Sequence, residues 1–199
     1  MKKIDYIIIG LGNPGDKYKN TRHNIGWMCA EALIKKYHGE VKKISQLSYY
    51  SHIKIQNENI LVAIPITYMN NTGLAVKYFH DNFNILTENI IIIVDEYNFP
   101  VGKLHIKSGG GDGGHNGVAS IIEETGSSDF YRLRCGIGKN FESGELVNYV
   151  LSDFSSEEIT AVETMIGNSI LAMEYFVTNN KSRAMSMINS TKIFEKNII

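Results

Sequence analysis

Two runs of branched apolar residues constrain the fold of this chain more than any other feature. One lies within residues 4–9 and the other, the most apolar segment of the chain, within residues 89–94. The first run does not alternate with polar residues, which is typical of a strand in a sheet covered on both faces. The two runs therefore predict buried strands of an α/β fold.

Other segments show the periodicity of helices and of half-exposed strands. Helical spacing covers residues 25–37 and 159–177, whereas residues 49–56 alternate and lead through a turn at 57–59 into a strand at 60–66. Further strands are expected at 103–107 and 131–137, and further helices after Gly73 and at 118–122. Because hairpins occur among strand–helix crossovers, we predict a single-domain α/β fold, a twisted mixed β-sheet flanked by helices on both faces as a three-layer sandwich. We assign residues 1–190 to this domain and expect 191–199 to form a frayed C-terminal tail.

Composition and charge exclude several classes of protein. A chain of 199 residues that is 43% hydrophobic can bury a sizeable core, and no apolar stretch approaches the roughly 20 residues of a membrane span. Two distant cysteines match no metal spacing and predict reduced thiols in a cytoplasmic protein. The formal net charge of -1 argues against a strongly cationic nucleic-acid binder, so a nucleic-acid site would need a local basic patch.

Two glycine-rich loops follow predicted strands. Gly10, Gly12 and Gly15 have the spacing of a dinucleotide fingerprint, but the next helix begins too late, and no second strand that ends in Asp or Glu follows roughly 20 residues on. Residues 109–117 contain a second cluster of glycines, which can present backbone N–H groups to phosphate or carbonyl oxygens or can simply be a mobile loop. No nucleoside-triphosphate motif accompanies either loop.

The ends of the predicted strands carry candidate catalytic and recognition groups. His23 lies in the first loop and Asp95 ends the most apolar strand, a pair suited to general-base catalysis on water. Metal and covalent-nucleophile motifs are missing from the sequence. Asn13, Asn70 and Asn116 each belong to a loop after a strand. Singly they would fit turn chemistry, but together they could recognise a peptide backbone without introducing charge.

The motifs together closely resemble those of the bacterial peptidyl-tRNA hydrolase family, in the same order and spacing over residues 6 to 138. They are Gly12-Asn13-Pro14-Gly15 with Tyr18, Thr21-Arg22-His23-Asn24, Thr67-Tyr68-Met69-Asn70, Asp95-Glu96, the glycine run ending in His115-Asn116-Gly117, and Arg132-Leu133-Arg134-x-Gly136-Ile137-Gly138. The resemblance implies hydrolysis of the ester between peptide and tRNA in peptidyl-tRNAs released prematurely from ribosomes, without a cofactor or a metal.

The resemblance also implies roles for individual residues. His23 matches the general base, Asp95 its orienting partner, and Asn13 the residue that distinguishes N-blocked from free aminoacyl-tRNA. The remaining matches are to substrate-binding and tRNA-binding positions: Asn70, Asn116, Tyr18, Tyr68, Lys107 and Arg134. The oxyanion donor stays open between Asn70, Asn116 and a backbone N–H of the glycine loop.

We expect a cytoplasmic monomer that acts on peptidyl-tRNA and does not associate with membranes. The main alternative is a non-catalytic RNA-binding protein on the same fold, similar to the splicing factors that the family includes. The presence of His23, Asp95 and the three asparagines favours the enzyme. A dinucleotide-dependent oxidoreductase is a third, weaker alternative.

Overall fold

The computed structural model describes residues 3–195, which form a single α/β domain around one seven-stranded mixed sheet. The strand order is β2-β3-β4-β1-β5-β7-β6. The strands are β1 (Tyr6–Gly10), β2 (Lys42–Ile44), β3 (Ser48–Ile55), β4 (Glu58–Pro65), β5 (Ile90–Glu96), β6 (Leu104–Ser108) and β7 (Tyr131–Gly136).

The four central strands are parallel, and this determines where the loops meet. β1 pairs in parallel with β4 and β5, and β5 pairs in parallel with β7, whereas β2, β3 and β6 are added by antiparallel pairing. The loops that follow β1, β4 and β5 therefore leave the sheet at the same edge. Ligands of open α/β sheets commonly bind outside this edge.

Helices cover both faces of the sheet, as predicted. They are α1 (Ile25–Lys36), α2 (Thr72–Phe83), α3 (Asn116–Thr125), α4 (Leu146–Val150), α5 (Ile159–Thr178), α6 (Lys181–Asn189) and α7 (Lys192–Glu195). Ile8 of β1 joins a core with α1, α5, α6 and α7, whereas Ile7 and Ile9 face a second core with α2 and α3. Successive side chains of a strand point to opposite faces, so one continuous apolar strand serves both layers.

The strands and helices that the sequence predicts are all present, with shifts of a few residues at their ends. β2, α4, α6 and α7 were not predicted. The proposed tail at 191–199 includes α7, where Ile193 is buried, while residues 196–199 lie outside the described part of the chain. The division at residue 190 therefore stays a prediction. Between residues 3 and 195, no helix is both long and apolar enough to cross a bilayer.

Glycines bring α1 against the end of β1. A Cβ atom on Gly10 would lie 2.2 Å from the carbonyl oxygen of Gly26, and one on Gly12 would lie 2.6 Å from the Trp27 ring. Gly15 has a φ of 109°, a backbone conformation that favours glycine. The spacing that resembles a dinucleotide fingerprint thus serves close packing and a turn.

Candidate active site

His23 and Asp95 meet at the edge of the sheet where β1 and β5 end. His23 belongs to a single 3₁₀ turn, Arg22–Asn24, immediately before α1, and Asp95 is the penultimate residue of β5. The His23 Nδ1 and Asp95 Oδ1 atoms are 2.8 Å apart, so the expected hydrogen bond is present. Only 12% of the His23 side chain and 3% of the Asp95 side chain are exposed.

A second histidine, which the sequence analysis did not assign to the site, contacts the same carboxylate oxygen. His115 Nε2 lies 2.9 Å from Asp95 Oδ1, and the two imidazole rings have centroids 4.9 Å apart. His115 Nδ1 accepts hydrogen bonds from the backbone N–H groups of Gly117 (3.1 Å) and Val118 (3.3 Å), and it thereby caps α3. Because Nδ1 accepts, the proton of a neutral His115 is on Nε2 and is donated to Asp95.

Burial and the neighbouring charges have opposite effects on the pKa values of Asp95 and His23. Burial by itself would raise the pKa of Asp95, but the two imidazoles outweigh it and hold that pKa well below its usual range. Burial would lower the pKa of His23, yet the charge of Asp95 and its hydrogen bond raise it above the usual value of 6.5. The carboxylate is therefore ionised and accepts from His23 Nδ1–H, which leaves Nε2 of a neutral His23 as the basic nitrogen.

The same three side chains have the composition of a metal site. His23, Asp95 and His115 each offer one ligand atom, and these atoms lie within 4.8 Å of one another. The hydrogen bonds to Asp95 already use those atoms, and the nitrogen of His115 that faces Asp95 carries its proton. A cation would have to replace both hydrogen bonds, so we interpret the cluster as a hydrogen-bonded triad.

Asn13 is buried in the loop after β1 and is fixed on two sides. Its backbone N–H donates to Asn24 Oδ1 (2.9 Å), and its carbonyl oxygen accepts from Asn24 Nδ2 (3.0 Å). Its side-chain Oδ1 accepts from the backbone N–H of Met69 (2.9 Å). The amide NH₂ group of the Asn13 side chain, Nδ2, consequently stays available as a hydrogen-bond donor to a ligand.

Met69 connects the loops of the three asparagines. It starts the 3₁₀ turn Met69–Asn71, its backbone bonds to Asn13, and its Sδ lies so close to Gly117 that a Cβ there would be 2.4 Å away. Asn70 follows Met69 in the chain and Asn116 precedes Gly117, and both asparagines are exposed. The loops of the three asparagines therefore meet at this edge of the sheet.

The triad opens into a cleft of about 150 Å³ with chemically different walls. Of the predicted residues, the cleft is lined by His23, Asp95, Asn116, Lys107 and Arg134. The glycine loop forms one side, and Leu146, Val147 and Val150 of α4 form an apolar wall. Asn13, Asn70, Tyr18 and Tyr68 lie outside this cleft.

Tyr18 and Tyr68 lie in the segments that follow β1 and β4. The Tyr68 side chain is 59% exposed, and the Lys17 amine lies 4.6 Å from the centroid of the Tyr18 ring. The hydrogen bond and the charge of Tyr18 raise the pKa of Lys17. Tyr68 therefore offers an accessible aromatic face on which a nucleobase can stack, whereas Tyr18 is half-buried and has Lys17 over its ring.

Basic residues of β6 and β7 form the far wall of the cleft. In the antiparallel register, Lys107 lies opposite Arg132. Arg132 is buried and donates to the carbonyl oxygens of Gly110 and Gly111, so it holds the glycine loop. Arg134 forms an ion pair with Glu96, and burial together with the charges of Arg132 and Arg134 lowers the pKa of Lys107. Of the two predicted phosphate ligands, Lys107 therefore has no carboxylate partner among the described residues, whereas the charge of Arg134 is partly neutralised by Glu96.

Comparison with known proteins agrees with this architecture. The family model described as peptidyl-tRNA hydrolase matches residues 7–196. A peptidyl-tRNA hydrolase from Lawsonia intracellularis is 40% identical over 96% of both chains, and one from Fervidobacterium nodosum is 42% identical over 94% of this chain and 97% of that relative. A crystal structure of peptidyl-tRNA hydrolase from Acinetobacter baumannii superposes with a TM-score of 0.88 at 32% identity, over 96% of this chain and 98% of the other.

The chain therefore belongs to the peptidyl-tRNA hydrolase family. The match extends over almost the whole length of the chain and of its relatives, so it includes both the fold and all the loops that surround the cleft.

Proposed function

We propose that this protein hydrolyses the ester bond between the peptide and the tRNA in peptidyl-tRNAs released prematurely from ribosomes, and so recycles tRNA. The observation that carries the proposal is the triad of His23, Asp95 and His115 in the cleft. An ester is reactive enough for attack by water if a positioned base removes a proton from that water. No side-chain nucleophile is then required.

We assign a proton path to His23 on the basis of its hydrogen bond. Nδ1–H donates to the Asp95 carboxylate, so the opposite ring nitrogen, Nε2, takes a proton from the attacking water. The hydroxide equivalent adds to the peptidyl carbonyl carbon. When the tetrahedral intermediate collapses, the protonated imidazole returns the proton to the departing ribose oxygen, and Asp95 stabilises the imidazolium in between.

The three asparagines supply neutral hydrogen-bonding groups around the substrate. Asn13, whose Oδ1 is occupied by Met69, presents an Nδ2 donor, and we assign it the recognition of the N-blocked substrate. Donors for the developing oxyanion are available from Asn70, Asn116 and the backbone N–H groups of the glycine loop. Amides suit a substrate that carries phosphates nearby, because they add no negative charge.

We further propose that the protein acts as a cytoplasmic monomer without a metal or cofactor, and that residues 1–190 form the catalytic domain. Tyr18 and Tyr68 contact the end of the tRNA, Tyr68 through its exposed ring. Lys107 and Arg134 contact tRNA phosphate.

A turnover assay distinguishes the enzyme from a non-catalytic RNA-binding protein on the same fold. The enzyme should release free tRNA from N-blocked aminoacyl-tRNA in the presence of a metal chelator, and it should leave unblocked aminoacyl-tRNA intact. Tight binding of the blocked substrate with no release of tRNA would refute the hydrolytic function and support the alternative. The relatives named above are hydrolases by name, and nothing in them favours that alternative.

His115→Asn should lower kcat by about tenfold. Asparagine is also a good N-cap, so α3 should keep its start, but its shorter side chain cannot reach Asp95. Loss of one hydrogen bond to a charged group costs about 1.5 kcal/mol, which corresponds to roughly a tenfold change in rate. Single-turnover cleavage measures the effect, with circular dichroism as the check on folding. A folded variant with the rate of the unchanged protein would exclude His115 from the positioning of Asp95.

Lys107→Ala should weaken tRNA binding and reduce the slope of log K against log salt by about one, since one phosphate contact is lost. Arg134→Ala should change the slope less, because Glu96 already neutralises part of its charge. Lys54→Ala, on the exposed face of β3 and outside the cleft, is the control. Equal slopes for the unchanged protein and for Lys107→Ala would place the phosphate contact elsewhere.

A further inference from the structure

Arg22, the residue before His23, is almost fully buried and bonds to two other parts of the fold. Its side chain is 8% exposed. The guanidinium donates to both carboxylate oxygens of Glu158, at 3.0 and 2.8 Å, and to the carbonyl oxygen of Ile137 at 3.1 Å. The turn that carries the base is thereby joined to the end of β7 and to the residue just before α5.

Aromatic and backbone contacts add to this connection. The guanidinium carbon lies 4.4 Å from the Tyr149 ring centroid and 4.8 Å from that of Phe154. The backbone N–H of Arg22 donates to the carbonyl oxygen of Ser152 (3.0 Å), and Thr21 forms a β-bridge with Asp153. Residues 149–158 are therefore held against the His23 turn mainly by the side chain and the backbone N–H group of Arg22.

The segment held in this way also forms a wall of the cleft. Tyr149 belongs to α4, whose Leu146, Val147 and Val150 line the cleft beside His23. The Tyr149 hydroxyl donates to the same carbonyl oxygen of Ile137 that Arg22 contacts (2.7 Å). A shift of the guanidinium would consequently move both the turn of the base and the apolar wall.

We propose that Arg22, through its ion pair with Glu158, is a positioning residue that keeps His23 on Asp95 and α4 over the cleft. The inference rests on the proposed hydrolytic function. The His23 ring is held by the hydrogen bond from Nδ1 to Asp95 and by its contact with the His115 ring, and both require that the backbone of its turn keeps its position. A planar, bidentate guanidinium fixes that backbone in a way that the flexible ammonium of lysine cannot.

The fold supplies a matched control at the other end of α1. Lys36 forms an ion pair with Glu174 of α5, and the Tyr37 hydroxyl donates to the same carboxylate (2.7 Å). Both Glu158 and Glu174 thus join the region of α1 to that of α5, and their side chains are similarly buried, at 25% and 22% exposed. Only Glu158 bonds to a residue next to His23.

The experiment compares Glu158→Gln, Arg22→Lys and Glu174→Gln with the unchanged protein. For Glu158→Gln and Arg22→Lys we expect kcat to fall about tenfold with KM nearly constant, because a displacement of less than 1 Å is costly for a positioned base. The acid limb of the pH profile should move to lower pH, since a His23 that leaves Asp95 loses the interaction that raises its pKa. Arg22→Lys keeps the charge, so a shift in that variant reports position rather than charge.

Glu174→Gln should keep the kcat and the pH profile of the unchanged protein even if its Tm falls as far as that of Glu158→Gln. If both glutamine variants lose Tm alike and neither changes kcat nor the pH profile, the pair is a structural link only and the proposal is wrong.

An NMR titration of the His23 ring gives a readout without substrate. A protein that never cleaves peptidyl-tRNA would refute the proposed function, while an altered His23 pKa in Arg22→Lys would still support the positioning role.

Discussion

His23→Ala should reduce cleavage of N-blocked aminoacyl-tRNA by on the order of 10²–10⁴-fold, which is the usual contribution of a general base. The variant removes the only group of the triad whose free ring nitrogen can take a proton from water, because His115 uses Nδ1 to cap α3 and donates Nε2–H to Asp95. Binding of tRNA should change little, since the basic residues of β6 and β7 are untouched. Single-turnover rates and binding measurements under the same conditions separate the two effects.

His52→Ala is the control for this experiment. His52 is exposed on β3 and does not line the cleft with the triad, so its removal should leave kcat unchanged. A folded His23→Ala variant that cleaves the ester at a rate close to that of the unchanged protein would rule out His23 as the base. Loss of tRNA binding in that variant would instead point to a role in substrate contact.

Asp95→Asn should slow cleavage by on the order of 10²–10⁴-fold without unfolding the protein. The amide keeps the shape of the side chain, but it no longer carries the charge that stabilises the imidazolium. It can also offer its NH₂ group to His23 Nδ1, which would favour the tautomer with the proton on Nε2, the wrong nitrogen for a base. The rate and the thermal transition of the variant measure these two expectations.

The pH profile provides a second test of Asp95. Asp95 raises the pKa of His23 above 6.5 despite burial, so activity of the unchanged protein should fall as the pH decreases through that raised value. In Asp95→Asn the acid limb should move to lower pH, because the neutral amide no longer favours the charged imidazole. Asp5→Asn is the control, since Asp5 also accepts hydrogen bonds but lies at the opposite end of the sheet. An acid limb that stays in place in Asp95→Asn would disconnect Asp95 from His23.

The runs at 4–9 and 89–94 were enough to predict β1 and β5, two of the four central parallel strands, and the 3–4 spacing of residues 159–177 was enough to predict α5. These elements are long or continuously apolar, so local pattern and tertiary burial agree. β2 has three residues and α4 has five, too few to show a period, and both depend on contacts made elsewhere in the fold. Three of the four elements that the sequence analysis missed, β2, α4 and α7, are short in this way, whereas the fourth, α6, has nine residues.

Some features of the candidate site could likewise be predicted from the sequence, and others could not. His23, Asn13 and Asn70 could be selected because they follow β1 and β4, and Asp95 because it lies near the end of β5; these three strands end at the same edge of the sheet. Asn116 could be selected from the glycine-rich loop that follows the antiparallel strand β6. The role of His115 could not be selected, since histidine is not among the preferred N-caps and its contact with Asp95 joins separate loops. The pairing of Arg134 with Glu96 was equally hidden, although the two residues lie on neighbouring strands.

By itself, the sequence determined the layers of the fold, the edge of the sheet that carries the loops and the residues that a hydrolytic site would need. Those properties follow from local apolar pattern and from the order of strands and loops along the chain. Only the tertiary structure decided which nitrogen of each histidine faces Asp95, and that a buried arginine connects the His23 turn to α4 and α5. It also decided that Arg134, of the two predicted phosphate ligands, pairs with a carboxylate, while Lys107 has no such partner among residues 3–195. Hydrogen bonds and ion pairs depend on distance and direction within a few tenths of an ångström, and the chain acquires those only when distant segments pack together.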